Sequence, residues 1–288
     1  MGKERVLDEM ARRGVDVLLL GREGNGRYVS GARRLFLAGE RAFAPGCVVV
    51  RETAEVHLLS NTDFGIPQEI RHPNLYPTSW NPATLVGRVT AIPGVEDASR
   101  VGVDGLTPLF EALLASHLPD ATLVDGEAAM RAARRIKTPE EVDQIRGAAA
   151  VADAVMMAAL EAAVADGPVK AVAMETMASH GVTTAAFEPQ VHRDGNRVTV
   201  SVGVLREGWE ADLTRSTPDA PNEAIARCRA DAAVTDLGAD VHGVGLGYEV
   251  LDPDDVLEPG MVLSVGADGA RDTVLVTDGE PEVLTTRT

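Results

Sequence analysis

Arg131-Ala132-Ala133-Arg134-Arg135-Ile136-Lys137-Thr138-Pro139-Glu140-Glu141 is the stretch at which the chain changes from one architecture to another. Thr138 and Glu141 form a capping box: the hydroxyl accepts from the Glu141 amide and the carboxylate reaches back to the Thr138 amide. Pro139 occupies the first helical position, where its missing N–H is not needed. Val142, Ile145, Ala149, Ala152, Val155, Met156 and Leu160 follow at three- and four-residue spacing. That period predicts a helix whose Ala-rich face packs closely on a sheet and which ends near Asp166-Gly167-Pro168.

Upstream, the pattern alternates. A short helix is expected over residues 4–13, then strands over 15–20, 47–51, 55–59 and 101–104, a helix over 108–117 and a strand over 122–124. Strands alternating with helices predict an α/β domain over residues 1–127. Downstream, a second helix over 170–180 is followed by strands over 197–205, 209–214, 261–265 and 273–277, an α+β pattern over residues 128–288.

The composition bounds the partners. The chain has 288 residues, 45% hydrophobic and 25% charged, with a net charge of −17. Such a field repels nucleic acid and anionic lipid, so neither is an expected partner. Lysine occurs only at Lys3, Lys137 and Lys170, and every other positive charge is arginine. An acidic, lysine-poor chain suits a salt-rich cytoplasm, where a Debye length of roughly 3 Å at 1 M screens self-repulsion; a high-GC genome that favours Arg and Ala codons is the alternative. Cys47 and Cys228 lie far apart and read as buried thiols. No apolar run approaches the ~18 residues of a membrane span, so a soluble, cytoplasmic protein is expected.

Four ordered motifs carry a resemblance. The first is the 131–141 stretch already quoted. The second is Val200-Ser201-Val202-Gly203 with Gly208-Trp209-Glu210-Ala211-Asp212-Leu213-Thr214-Arg215. The third is Val241-His242-Gly243-Val244-Gly245-Leu246-Gly247-Tyr248-Glu249, and the fourth Leu257-Glu258-Pro259-Gly260-Met261-Val262 with Asp272-Thr273-Val274-Leu275-Val276-Thr277-Asp278-Gly279. Together they resemble the pita-bread family of prolidase, aminopeptidase P, creatinase and methionine aminopeptidase. The resemblance implies an α/β N-terminal creatinase-like domain (1–127), a shortened α+β pita-bread C-terminal domain (128–288), and a homodimer formed through the N-terminal domain.

The family's peptidases hold two divalent cations with Asp, Asp, His, Glu and Glu. Charged oxygens are required there to offset the cations and to lower the pKa of a bridging water. Carried over residue by residue, these positions fall on Ser201, Asp212, His242, Gly266 and Arg271. Two ligands remain, one position has no side chain, and one has reversed its charge. The expectation is therefore no metal and no cofactor, with Asp212 and Arg271 paired where metal would sit. Asp268 is a weak alternative ligand. Asp272 is a poorer one, because a one-residue slip turns a strand side chain to the other face.

Two histidines are candidate catalytic groups by the same resemblance. His242 is one. His192 is the other, although it lies only nine residues before Ser201 and reads first as a surface-loop histidine. Glu249 stands where the family has a second histidine. His180 is expected to cap the 170–180 helix. His57, His72 and His117 carry no motif. Gly243–Gly247 lacks the strand–loop–helix setting of a nucleotide loop, and Ser201 lacks the setting of a nucleophile.

Arg215 and His242 are only 27 positions apart, which leaves room for one helix at most over 222–233. Thinner walls position a scissile bond less well. Three functions follow. The first is a homologue without metallopeptidase activity, whose cleft takes a small amine, amino acid or peptide or which serves in assembly. The second is a metal-free C–N hydrolase resembling creatinase. The third is an Xaa-Pro peptidase with an atypical metal site.

Overall fold

The structure, a computed structural model, describes residues 2–32 and 45–286. These form two compact units, Met1–Arg134 and Arg135–Thr288. The division falls at the end of a helix, a few residues beyond the 127/128 position expected from the sequence.

The N-terminal unit runs α1 (Lys3–Arg13), β1 (Val17–Leu20), α2 (Glu23–Ser30), β2 (Cys47–Val50), β3 (Glu55–Leu59), β4 (Leu75–Tyr76), α3 (Pro82–Thr90), β5 (Arg100–Val103), α4 (Pro108–His117), β6 (Thr122–Asp125) and α5 (Glu127–Arg135). Its six strands lie in the order β4-β3-β2-β1-β5-β6. β1 pairs in parallel with β5 and β5 with β6, while β1, β2 and β3 pair antiparallel. Val17, Leu19, Val48, Val50 and Val101 pack one sheet face against Leu85, Val89, Phe110 and Leu114 of α3 and α4. Cys47 is buried, as expected. α2 was not anticipated: Glu23-Gly24-Asn25-Gly26 has two glycines and low helix propensity. Tertiary contacts hold it. Asn25 Nδ2 donates to Asp104 (3.0 Å) and Glu127 (2.7 Å), and its Oδ1 accepts from Arg134 (2.6 Å).

The C-terminal unit runs α6 (Pro139–Val164), α7 (Val169–Ser179), β7 (Ala185–Asp194), β8 (Arg197–Arg206), β9 (Trp209–Thr217), β10 (Asp240–Gly245), β11 (Gly247–Glu249), β12 (Val262–Ala267), β13 (Ala270–Leu275) and β14 (Glu282–Val283). The capping box of α6 is formed, with Thr138 N–H donating to Glu141 at 2.9 Å and Glu141 N–H to Thr138 Oγ1 at 3.3 Å. His180 caps α7, its N–H reaching the Thr176 and Met177 carbonyls. Seven strands form the path β11-β10-β12-β13-β9-β8-β7, and β14 adds to β13.

By length and composition α6 could cross a membrane, contrary to the expectation that no segment reaches that size. Here it is a core helix. Ala148, Ala152, Val155 and Ala159 pack on Val200, Val202, Val204, Ala211 and Leu213 of β8 and β9. Alternation along each strand therefore turns Ser201 and Gly203, and Glu210, Asp212 and Thr214, to the face away from the helices. Between β9 and β10 the described chain forms only short 3₁₀ turns, Glu223–Arg227 and Val234–Leu237.

Candidate functional site

The face of the C-terminal sheet opposite α6 holds a cleft of about 630 Å³. Four strands supply its floor by period-two alternation: Ser201 from β8, Glu210, Asp212 and Thr214 from β9, Asp240 and His242 from β10, and Arg271 from β13. Phe187 and Tyr248 form apolar walls. Gly203 permits one of these walls, since a Cβ there would sit 2.5 Å from the Phe187 ring. Tyr248 stacks on His242 with 4.4 Å between centroids.

Arg271 organises the floor. Its Nη1 donates to Ser264 Oγ at 2.7 Å, and Ser264 Oγ donates to Asp212 Oδ2 at 2.9 Å. Its Nη2 pairs with Asp240, and its Nε lies 4.0 Å from Asp212 Oδ2. The guanidinium lies directly over Gly266, its partner across the β12–β13 hairpin. A Cβ at 266 would stand 2.5 Å from Nη2 and 2.7 Å from Cζ. The guanidinium thus fills the space that a side chain at 266 would enter.

Asp212 is 2% exposed, and its Oδ1 has no hydrogen-bond partner among the described residues. Burial raises its pKa, opposed by the Ser264 hydrogen bond and the Arg271 charge. Glu210 is 5% exposed. Burial, then the neighbouring Asp212 and Glu249 charges, pushes its pKa up to about 7. His242 Nε2 lies 3.9 Å from Asp212 Oδ2 and is buried without a hydrogen-bond partner. Burial, then the Arg271 charge, brings the imidazole down to about 4, so it is neutral near pH 7.

Of the residues singled out from sequence, Ser201, Asp212, His242 and Arg271 meet in this cleft, with Gly266 beneath the guanidinium. Ser201 Oγ is bonded to Thr214 Oγ1 at 2.8 Å. His192 is not in a loop, as first read. It lies on β7, paired with Thr199, exposed and outside the cleft lining. The alternating Phe187–Val191 stretch is interrupted by a bulge and Pro189, which hid the strand. Asp268 sits exposed in the β12–β13 turn at φ 52°. Asp272 faces the helix side of the sheet, paired with Arg215 at 2.7 Å. Glu249 pairs with Lys137 at 2.7 Å.

Sequence reading missed Glu210, Asp240 and Ser264. Each lies two residues before a motif position, at 212, 242 and 266. Strand alternation alone would have placed them on the same face.

Residues 3–136 match the sequence model of the Creatinase/Prolidase N-terminal domain. Over 163 residues the chain is 28% identical to creatinase from Bacillus sp. (strain B-0618), covering 55% of this chain and 38% of that protein. The match thus spans well under half the length of that curated relative. Prolidase from Pyrococcus horikoshii OT3 shares the fold with a TM-score of 0.77 at 17% identity, covering 100% of this chain and 98% of the other. Prolidase from Pyrococcus furiosus does so at 0.75 and 19%, covering 99% of each. An N-terminal unit that matches the Creatinase/Prolidase N-terminal domain, followed by a curled antiparallel sheet, gives this chain the pita-bread fold, which it shares with prolidases.

Proposed function

We propose that this chain is a pita-bread protein that has lost dinuclear-metal peptidase activity and uses its cleft to bind a small amine, amino acid or peptide. One observation carries the reading: the Arg271 guanidinium occupies the space over Gly266, between Asp212, Asp240 and Ser264. The donor set does not fit two divalent cations. Of the five family positions only Asp212 and His242 retain a ligand, and among the described residues no group of three or more His, Cys, Asp or Glu is arranged to hold a metal. A fixed positive charge near 4 Å opposes a cation by roughly 4 kcal/mol per unit charge at an effective dielectric near 20. The test is metal analysis of protein equilibrated with Mn²⁺, Co²⁺ or Zn²⁺, together with hydrolysis of Xaa-Pro dipeptides. Well under one ion per chain and no hydrolysis are expected. Two bound ions per chain, or metal-dependent cleavage, would restore the Xaa-Pro peptidase reading and end this one.

A second reading, a metal-free C–N hydrolase, draws on the identity with creatinase and on the neutral His242 in the cleft. Turnover of creatine or another guanidino compound, lost in His242→Ala, would favour it over the first. His192→Ala serves as the control outside the cleft. The protein is further proposed to be cytoplasmic, salt-adapted and a homodimer. The core role of α6 and the charge of −17 support the first two. Sedimentation at low and molar KCl tests the last two: a monomer throughout, or greater stability at low salt, would count against them.

A further inference from the structure

Three acceptors in the cleft lack hydrogen-bond partners among the described residues. Asp212 Oδ1 and His242 Nε2 are buried and unpaired. The carboxylate of Glu210, two residues from Asp212 on the same face of β9, is 5% exposed, lines the cleft and makes no hydrogen bond. Arg271 Nε lies 4.0 Å from Asp212 Oδ2, but the Arg271 Nη atoms are directed to Ser264 and Asp240, and Lys137 to Glu249 and the Arg135 carbonyl, so Asp212 Oδ1 gains no donor from them. A buried carboxylate oxygen without a hydrogen-bond donor is costly, so a donor brought into the cleft is favoured there.

The geometry favours one kind of partner. A transition-metal ion holds its ligands at roughly 2.0–2.2 Å, which draws tetrahedral donors to about 3.3–3.6 Å from one another. His242 Nε2 lies 3.9 Å from Asp212 Oδ2, the oxygen that accepts from Ser264, and Oδ1 is the other oxygen of the same carboxylate. Hydrogen bonds of about 2.9 Å to one central nitrogen let acceptors spread to roughly 4–5 Å. A primary ammonium has three N–H donors and no acceptor, one for each unmet group. A neutral amide has two N–H donors and no charge, and a quaternary ammonium has none. Beside the polar cluster, Phe187 and Tyr248 offer flat apolar surfaces.

We propose that the cleft binds a primary ammonium group held by Asp212 Oδ1, the Glu210 carboxylate and His242 Nε2, on a ligand whose apolar part lies against Phe187 and Tyr248. The proposal rests on the reading that no dinuclear metal centre occupies these positions. His242 then takes the tautomer protonated at Nδ1, leaving Nε2 to accept.

The test is calorimetric titration of the full chain with benzylammonium, benzyl alcohol and benzyltrimethylammonium, with metal content measured on the same sample. Saturable one-to-one binding is expected for benzylammonium alone. Asp212→Asn and Glu210→Gln should each weaken it at least tenfold, while Glu188→Gln, at an exposed residue outside the cleft, binds like the parent. Should either cleft variant fail to fold, the His242 imidazole resonances of the parent protein provide the readout, and benzylammonium is expected to shift them. Absence of benzylammonium binding, equal binding of the alcohol or quaternary ion, folded cleft variants that bind like the parent, or unmoved His242 resonances would each overturn the proposal. Such a result in metal-free protein leaves the loss of the metal centre standing, whereas two ions per chain would remove the reading beneath it.

Discussion

Replacing Gly266 by alanine should destabilise the C-terminal unit only while Arg271 is present. A Cβ at 266 would lie 2.5 Å from Arg271 Nη2 and 2.7 Å from Cζ, so the guanidinium must move away. In moving it gives up the 2.7 Å hydrogen bond to Ser264. A hydrogen bond to a charged group contributes about 1.5–3 kcal/mol. The pairing with Asp240, whose side chain is 79% exposed, adds under ~1 kcal/mol. Against this, alanine gains ~0.4–1 kcal/mol by restricting the unfolded chain. Gly266→Ala alone should therefore cost about 1–3 kcal/mol. In an Arg271→Ala background the obstruction is gone, and the same change becomes neutral or stabilising by up to ~1 kcal/mol. The expected coupling is about 2 kcal/mol, well above the ~0.5 kcal/mol scatter of independent sites. Urea unfolding followed by Trp209 fluorescence, in a Trp80→Phe background, measures all four corners of the cycle. Additive costs would show that the guanidinium does not rest over Gly266, and would remove the basis for reading the metal site as replaced.

Three further outcomes follow from the same coordinates. Burial pushes Glu210 up to about 7 in the folded protein against an ordinary 4.5, so its ionisation opposes folding: its contribution to stability is fullest below pH 4.5 and is lost as pH rises through 7, a difference of roughly 3 kcal/mol. Glu210→Gln should abolish that fall in unfolding experiments from pH 5 to 8, and an unchanged slope would contradict it. For His242, with a folded value of about 4 against 6.5, the sign is opposite: its contribution is present above 6.5 and lost as pH falls through 4. An NMR titration should find that midpoint, and Arg271→Met should raise it by removing the guanidinium's repulsion; a midpoint near 6.5 in the parent would refute the burial argument. Finally, Asp272→Asn should cost about 3–5 kcal/mol, because it leaves Arg215 buried without its counter-ion, hydrogen-bonded at 2.7 Å on the helix side of the sheet. A thermal shift of only a degree or two would mean the pair is solvated.

Legibility in the sequence followed the strength of local signals. The Thr138–Glu141 box and the Ala-rich period marked α6, because capping and periodicity are properties of a few neighbouring residues. α4 began and ended where Pro108 and His117 implied. β10, by contrast, was invisible. Asp240-Val241-His242-Gly243-Val244-Gly245 contains two glycines and is held by its neighbours, pairing antiparallel with β11 and β12. α2 and β7 were missed for related reasons, since long-range contacts outweigh weak local propensity at both. The motif positions of the site were readable because spacing survives substitution, but their companions Glu210, Asp240 and Ser264 match no motif. They belong to the cleft only through strand alternation, which has to be applied after the strands are known.

The residues at 201, 266 and 271 depend on one another, and that dependence supports the proposed loss of the metal site as a single change. A glutamate at 266 would project into the volume held by the Arg271 guanidinium, and its carboxylate would compete for Nη1 with Ser264, which now links Arg271 to Asp212. Glycine at 266 is therefore what allows arginine at 271 to lie flat, and arginine at 271 is what places a positive charge near the remaining Asp212. Ser201 fits the same arrangement: a carboxylate there would add to Glu210, Asp212 and Asp240 in one cleft, whereas its hydroxyl is satisfied by Thr214 at 2.8 Å. On the proposed reading, the charge that Arg271 leaves unbalanced is that of Glu210 and Asp212, and a cation brought by a ligand is what would answer it.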